Sequence, residues 1–298
     1  MLEIHPGEFK VLGLGLKSAP GRAEEGAGGR GNTAPVPALR TSGEHVPRSH
    51  LRISSKNTVR WIESQRGAVA MSEVTRPSCR GGGDFHLTAP IDAEYHAIAV
   101  GEVSGPGGKI ADLAPTVRGL LREQLRCYRS PDPTPTLLGL NAILHDELPV
   151  DHFVTLVLGI LHRPSGALRL VRAGGSPPLF LTRAGEVEVL EPEGIALGLD
   201  PGPLFHKSLS EVRVIFRDGE SLLLHSDGLT RACRNDGDDF GLQRLAAALS
   251  DCPREYEVEA LREEILSRLS CFLGGRQPED DVTLICLRHH PSATPPLK

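Results

Sequence analysis

The sequence predicts an α+β fold: a four-layer α-β-β-α sandwich of two mainly antiparallel sheets flanked by helices. Three observations lead there. Short apolar runs bounded by turn residues recur through residues 153–190, 212–225 and 282–287, which is the signature of strands. Helical periodicity is confined to two pairs of segments, within 110–148 and 242–272. Helices grouped in pairs among antiparallel strands cover the outer faces of two packed sheets.

Ala68-Val69-Ala70-Met71 reads as a strand, and Ala97 to Val100 as another. Between Ile110 and Tyr128, Ile110, Leu113, Val117, Leu120, Leu121 and Leu125 recur at helical spacing. Proline lacks an amide hydrogen and is tolerated in the first turn of a helix, so Pro115 predicts a start near Asp112. Leu137, Leu140, Ile143, Leu144 and Leu148 define a second helix over Leu137 to Leu148. Strands follow at Phe153 to Leu161, Ala167 to Arg172, Leu179 to Thr182 and Glu186 to Leu190. Turns at Pro164-Ser165-Gly166 and Arg183-Ala184-Gly185 separate them. Val212 to Phe216 and Ser221 to His225 are predicted to form a hairpin around Asp218-Gly219. Helices at Leu242 to Leu249 and Tyr256 to Phe272, and a strand at Val282 to Leu287, complete the domain.

Residues 18–48 are rich in Gly, Pro, Ala, Arg and Glu and nearly devoid of large apolar side chains. Such a segment cannot offset its ordering entropy by burial, so disorder is expected. Phe9 to Leu14 is an ambiguous apolar stretch. The expected organisation is a disordered tail over 1–50, one folded domain over 51–290 and a disordered tail over 291–298. A net charge of −5 supplies no global basic field, so nucleic acid is not an expected partner. Six cysteines with no Cys-x-x-Cys pair argue for reduced thiols rather than zinc or redox motifs. No run approaches the roughly 20 apolar residues that span a bilayer, and no basic-then-apolar leader is present. A cytoplasmic location with no membrane partner is expected.

The chemistry is concentrated at strand ends. Asp227-Gly228 follows the run Ser221 to Ser226, Asp280-Asp281 precedes Val282 to Leu287, and Glu102 follows Ala97 to Val100. Continuous apolar runs read as strands buried on both faces, and carboxylates at their mouths are costly to leave without a cation. Oxygen-only ligands favour magnesium or manganese. Alone, Asp227-Gly228 reads as a turn, Asp280-Asp281 as a solvated pair and Glu102 as a loop acid. Their recurrence at matching strand ends is what points to a metal. The acidic loop Asn235-Asp236-Gly237-Asp238-Asp239 lacks the closing glutamate of a calcium loop and reads as solvated. His225 reads as a packed strand residue.

Read together, Arg76-Pro77, Gly82-Gly83-Asp84-Phe85, Glu102-Val103-Ser104-Gly105, Asn141, Phe153-Val154-Thr155-Leu156, Ala173 to Pro178, Leu197-Gly198-Leu199, Ser226-Asp227-Gly228-Leu229, Phe240-Gly241 and Asp280-Asp281-Val282-Thr283 resemble the PPM-type metal-dependent serine/threonine protein phosphatases. The order and spacing match the bacterial SpoIIE-like and RsbU-like branch, whose members dephosphorylate anti-anti-sigma proteins. The resemblance implies two Mn²⁺ or Mg²⁺ ions whose shared water supplies the attacking hydroxide. It assigns catalysis to Glu102, Asp227 and Asp280. Asp227 and Asp280 would be metal ligands, Glu102 the bridging carboxylate and the Val103 carbonyl a neighbouring ligand. Asp84 would support the site, with Asp281 the alternative member of the final pair. The implied partner is a phosphorylated regulatory protein such as an anti-anti-sigma factor. The sequence departs from the family pattern at Glu102, where aspartate is usual, at His86-Leu87-Thr88, where an acid is usual, and at Gly175-Ser176, where Gly-His-Pro is common. The alternative reading is therefore a catalytically weakened pseudophosphatase that binds a phosphoprotein or another partner.

Overall fold

The computed structural model describes residues 59–64, 67–78, 82–107, 110–253 and 257–290; the tails expected at 1–50 and 291–298, and the stretch Phe9 to Leu14, lie outside them. In chain order the elements are β1 (Val59–Ser64), β2 (Gly67–Arg76), β3 (Asp84–Pro90), β4 (Tyr95–Ser104), α1 (Ile110–Tyr128), α2 (Pro133–Glu147), β5 (Phe153–His162), β6 (Ala167–Ala173), β7 (Leu179–Leu181) and β8 (Val187–Val189). They continue as α3 (Pro203–Ser208), β9 (Glu211–Ile215), β10 (Ser221–His225), α4 (Asp227–Thr230), α5 (Gly241–Asp251), α6 (Val258–Phe272) and β11 (Val282–His290). One sheet has the order β1-β2-β11-β10-β7-β8 and the other β3-β4-β5-β6-β9. Every pairing between these strands is antiparallel.

Four layers need three interfaces, and the buried side chains form three clusters. Between the sheets lie Met71, Ile98, Val100, Val157, Leu222, Leu224, Ile285 and Leu287. Outside the first sheet, Ala70, Val74, Leu223, Leu284 and Cys286 pack with Leu245, Leu249, Leu261 and Ile265 of α5 and α6. Outside the second, Phe85, Leu87, Ala97 and Ala99 pack with Val117, Leu121, Leu137 and Leu140 of α1 and α2. Alternation along β11 makes the point locally: Leu284 and Cys286 face helices, while Ile285 and Leu287 face the other sheet, as the two-residue side-chain period requires. Such a strand must be apolar throughout, which is why its sequence is an unbroken run.

Three expectations are corrected. β9 and β10 do not form a hairpin: β9 pairs with β6, whereas β10 pairs with β7 and β11 in the opposite sheet. The Asp218-Gly219 turn is real, with Gly219 at φ +79°, but it passes the chain from one sheet to the other. Burial explains the separation, since Glu211, Arg213 and Ile215 leave β9 partly exposed, as suits an edge, while all five residues of β10 are buried. Helix α1 starts at Ile110 rather than near Asp112, so Pro115 is inside it. The bond it cannot donate would have gone to Ala111, and both residues face solvent, where water can satisfy the freed carbonyl. Helix α2 starts four residues before Leu137, because Asp132 caps it by accepting from the Thr134 amide at 2.8 Å with Pro133 in the first turn. Among the described residues no helix is long and apolar enough to cross a membrane.

Ile285 is fully buried between the sheets. Ile285→Ala should lower unfolding free energy by about 2–5 kcal/mol, measured by denaturant titration with an unchanged slope.

Candidate metal centre

Antiparallel pairing brings strand ends together. The register of β3 and β4 sets Asp84 opposite Glu102. His225 at the end of β10 lies opposite Leu284 near the start of β11, so Asp227 and Asp280, just beyond these strands, share one end of their sheet. β11 packs across the interior onto β3 and β4, and the two ends meet. One carboxylate oxygen from each of Glu102, Asp227 and Asp280 lies within 4.8 Å of the others.

Short polar side chains and glycines hold this convergence. Ser226 donates its amide to the Thr283 carbonyl at 2.9 Å, and the Thr283 amide donates to Ser226 Oγ at 2.9 Å. Ser226 Oγ also donates to the Asp281 carbonyl at 3.3 Å. The chain then turns into α4, where the Arg231 amide donates to the Asp227 carbonyl at 2.7 Å. A Cβ at Gly228 would lie 2.0 Å from the Asp281 carbonyl oxygen, and one at Gly83 would lie 2.1 Å from that of Val103. Only glycine permits either approach.

Of the final acidic pair, Asp280 joins the cluster. Asp281 is buried and its Oδ1 accepts the Ser78 amide at 2.7 Å, while its own amide donates to Asp280 Oδ1 at 2.8 Å. The Val103 carbonyl abuts Gly83, and the Val103 side chain packs in the α1 core. Asp84 is outside the trio of carboxylates but feels Asp281 and Asp280. Behind it, His86 Nδ1 meets Thr75 Oγ1 at 2.9 Å, and Thr88 Oγ1 donates to Glu73 Oε2 at 2.9 Å. Thus β3 carries His86 and Thr88 where an acid was expected, and an acid from β2 stands on that side instead.

The electrostatics are strained in one direction. Burial, opposed by the Ser226 and Thr283 hydroxyls and reinforced by Asp281 and Asp280, raises the Asp84 carboxyl to about 7. Burial followed by repulsion from Asp227, Asp84 and Asp280 raises Glu102 to about 8, only partly offset by the Ser104 hydroxyl, which lies 3.4 Å from Glu102 Oε1. Asp84 Oδ2 is buried without a hydrogen-bond partner. A divalent cation relieves both the repulsion and the orphaned oxygen. Opposite corners of a Mg²⁺ octahedron are ~4.2 Å apart, so three oxygens within 4.8 Å close on such an ion with small shifts. The donor set fits Mg²⁺ or Mn²⁺.

The cluster opens into a cavity of about 190 Å³ lined by Glu102, Ser104, Ser176, His225, Asp227 and Arg231 among others. Arg172 holds the Gly174-Gly175-Ser176 wall through bonds to the Gly175 and Pro192 carbonyls. Asn141 lies away from the cavity and clamps residues 198–200, accepting from the Gly198 amide and donating to the Asp200 carbonyl, both at 2.9 Å. His225 is buried; Nδ1 donates to the Ser226 carbonyl at 2.9 Å, and burial lowers its pKa. Two acids of the 235–239 loop are paired with arginines: Asp236 with Arg234 at 3.3 Å, and Asp238 with Arg234 and Arg244 at 2.9 Å. Sequence reasoning missed Ser104, Ser226, Thr283 and Arg231. Only Arg231, four residues after Asp227, carried a usable signal, because positions four apart face each other on a helical turn.

The profile of the family described as stage II sporulation protein E (SpoIIE) matches residues 92–290. Protein IcfG of Synechocystis sp. is 24% identical over 276 residues, covering 82% of this chain but 40% of that protein. The chain thus spans less than half the length of that relative. Among solved structures, the PP2C phosphatase domain of SpoIIE from Bacillus subtilis, with a fragment of its regulatory domain, aligns at TM-score 0.60 and 19% identity over 76% of this chain and 64% of that one. The PP2C domain of SiaA from Pseudomonas aeruginosa aligns at TM-score 0.61 and 23% identity over 72% of this chain and 85% of that one. The fold is a PP2C-like α+β sandwich.

Glu102 and Asp84 have folded pKa values above their ordinary ones of 4.5 and 3.8. The folded protein therefore binds more protons than the unfolded chain, and metal-free stability falls as pH rises from about 4 to about 8. Melting temperature should drop across that window in chelator and recover with Mn²⁺. Glu102→Gln should flatten the drop.

Proposed function

Because the chain belongs to the SpoIIE family, we propose that it is a metal-dependent protein phosphatase that hydrolyses phosphoserine or phosphothreonine on a regulatory protein, an anti-anti-sigma factor being the substrate type. The observation that carries this reading is the convergence of Glu102, Asp227 and Asp280 within 4.8 Å, beside a cavity that Glu102 and Asp227 line. In this reading Asp227, Asp280 and Glu102 would each offer a ligand oxygen, with Glu102 as the carboxylate shared between the ions, and Asp84 would support them. Two Mn²⁺ or Mg²⁺ ions bound there supply Lewis-acid neutralisation of phosphate oxygens and lower the pKa of water.

The protein's own groups do the rest. Hydrogen bonds through Ser226 and Thr283 fix Asp227 against Asp280, so the ligands are placed before substrate arrives. The Glu102 carboxyl, pushed up to about 8 by burial and the neighbouring acids, would have to give up its proton to hold a cation. The cavity, about 190 Å³, is smaller than the roughly 300 Å³ at which pockets for whole small-molecule ligands begin. It suits a phosphoryl group on the tip of a side chain, with the remainder of the substrate outside.

Hydrolysis of p-nitrophenyl phosphate and of a phosphoserine peptide should require Mn²⁺ or Mg²⁺. Asp227→Asn and Asp280→Asn should each reduce kcat/KM by about 100-fold or more, by analogy with the loss of other preorganised charge-stabilising groups. Folded wild-type protein that binds Mn²⁺ in calorimetry yet shows no turnover at any Mn²⁺ concentration would reject the enzyme and leave a phosphoprotein-binding module.

A further inference from the structure

Arg231 is a cation at the edge of an acidic site with almost nothing else to do. Its Nη1 lies 3.0 Å from Asp227 Oδ2, its side chain is 77% exposed, and among the described residues no other hydrogen bond or ion pair is made by its guanidinium. Its neighbours in the same loop region are tied down. Arg234 and Arg244 each lie over the Phe272 ring, at 4.8 and 4.9 Å from its centre, and bond Asp238. Arg276 bonds Asn235 and the Cys233 carbonyl. Arg231 is paired with one of the carboxylates, and among the described residues lining the cavity it is the only arginine or lysine.

An exposed pair of this kind contributes little, so it holds Arg231 in place without committing it. The backbone does the positioning, since the Arg231 amide is bonded to the Asp227 carbonyl at 2.7 Å and fixes the root of the side chain one turn from the acid. Charge supplies the reason to move. Asp84, Glu102, Asp227 and Asp280, once ionised, carry a charge that two divalent ions only balance, so an incoming phosphate dianion would leave the site with a net negative charge that a guanidinium at its edge offsets. A cation on Asp227 also removes the charge that held the guanidinium. Resting on the phosphatase reading above, we infer that Arg231 is a substrate-binding residue for the phosphate group, parked on Asp227 in the metal-free protein and released to the phosphate when Asp227 takes a metal ion. The planar fork then offers two parallel N–H donors to two phosphate oxygens. In the parked position it competes with the metal for the same carboxylate.

The two halves of this role move in opposite directions, which a surface ion pair with no role would not reproduce. The experiment uses the full chain as wild type, Arg231→Ala and Arg231→Lys, with Mn²⁺ alone and inorganic phosphate as probes in calorimetry. Arg231→Ala should bind Mn²⁺ up to about fivefold more tightly, the worth of the lost competitor. The Mn²⁺-loaded variant should bind phosphate about tenfold more weakly, the worth of a charge-assisted hydrogen bond. Arg231→Lys, a point charge without the fork, should fall between. With p-nitrophenyl phosphate, KM should rise more than kcat falls. Unchanged phosphate affinity in the loaded Arg231→Ala protein, or weaker Mn²⁺ binding by it, overturns the inference. If wild type shows no turnover, the phosphatase reading fails, but both binding measurements still decide the role of Arg231.

Discussion

Repulsion among carboxylates is the constraint around which one end of this protein is organised. Two antiparallel strand pairs, one in each sheet, deliver Asp84 opposite Glu102 and Asp227 beside Asp280. Left alone, like charges in a partly buried place would push the ends apart or keep their protons. The surrounding structure prevents the first outcome. Ser226 and Thr283 lock the end of β10 to the start of β11, and close contacts at Gly83 and Gly228 leave no slack. The second outcome occurs instead, with Glu102 and Asp84 pushed up toward neutrality. Stability given up here is offset by the three apolar interfaces between layers.

Much of the fold was legible because buried strands must be apolar. β5, β6, β10 and β11 announce themselves as runs of Val, Leu and Ile, and α1 and α6 by their periodic apolar faces. β3 did not, because His86 and Thr88 face the polar interior near Glu73 and Thr75 and break any apolar pattern. The Asp218-Gly219 turn was visible, yet a turn signal cannot say which sheet the next strand joins. The acids were visible as a set because each follows or precedes an apolar run. Their partners were not: Ser104, Ser226 and Thr283 are common small residues whose importance comes only from the register between strands distant in sequence.

The helix layers are tied into the same end of the molecule. Arg262 of α6 is fully buried and donates to Ser72 Oγ at 2.7 Å and to the Glu73 carbonyl at 3.4 Å. It therefore anchors β2 from outside while the Glu73 side chain bonds Thr88 inside. On the opposite face, Asn141 of α2 fixes residues 198–200, and the preceding Leu197 bridges to Val154 of β5. Both outer layers thus constrain strands that border the carboxylates, although no helix longer than one turn contributes an acid to them.

The pairing of β2 with β11 joins Thr75 to Thr283 and Arg76 to Val282, positions separated by most of the folded domain. Closing so long a loop is entropically slow. During synthesis the ribosome must therefore release almost the entire domain before the middle of the first sheet can be filled. Until then β2 and β10 each present an unpaired, apolar edge, the kind that nascent chains aggregate through. Placement of the last strand is also what brings Asp280 beside Glu102 and Asp227, so assembly of the carboxylate cluster and the end of aggregation risk arrive in the same step of biogenesis.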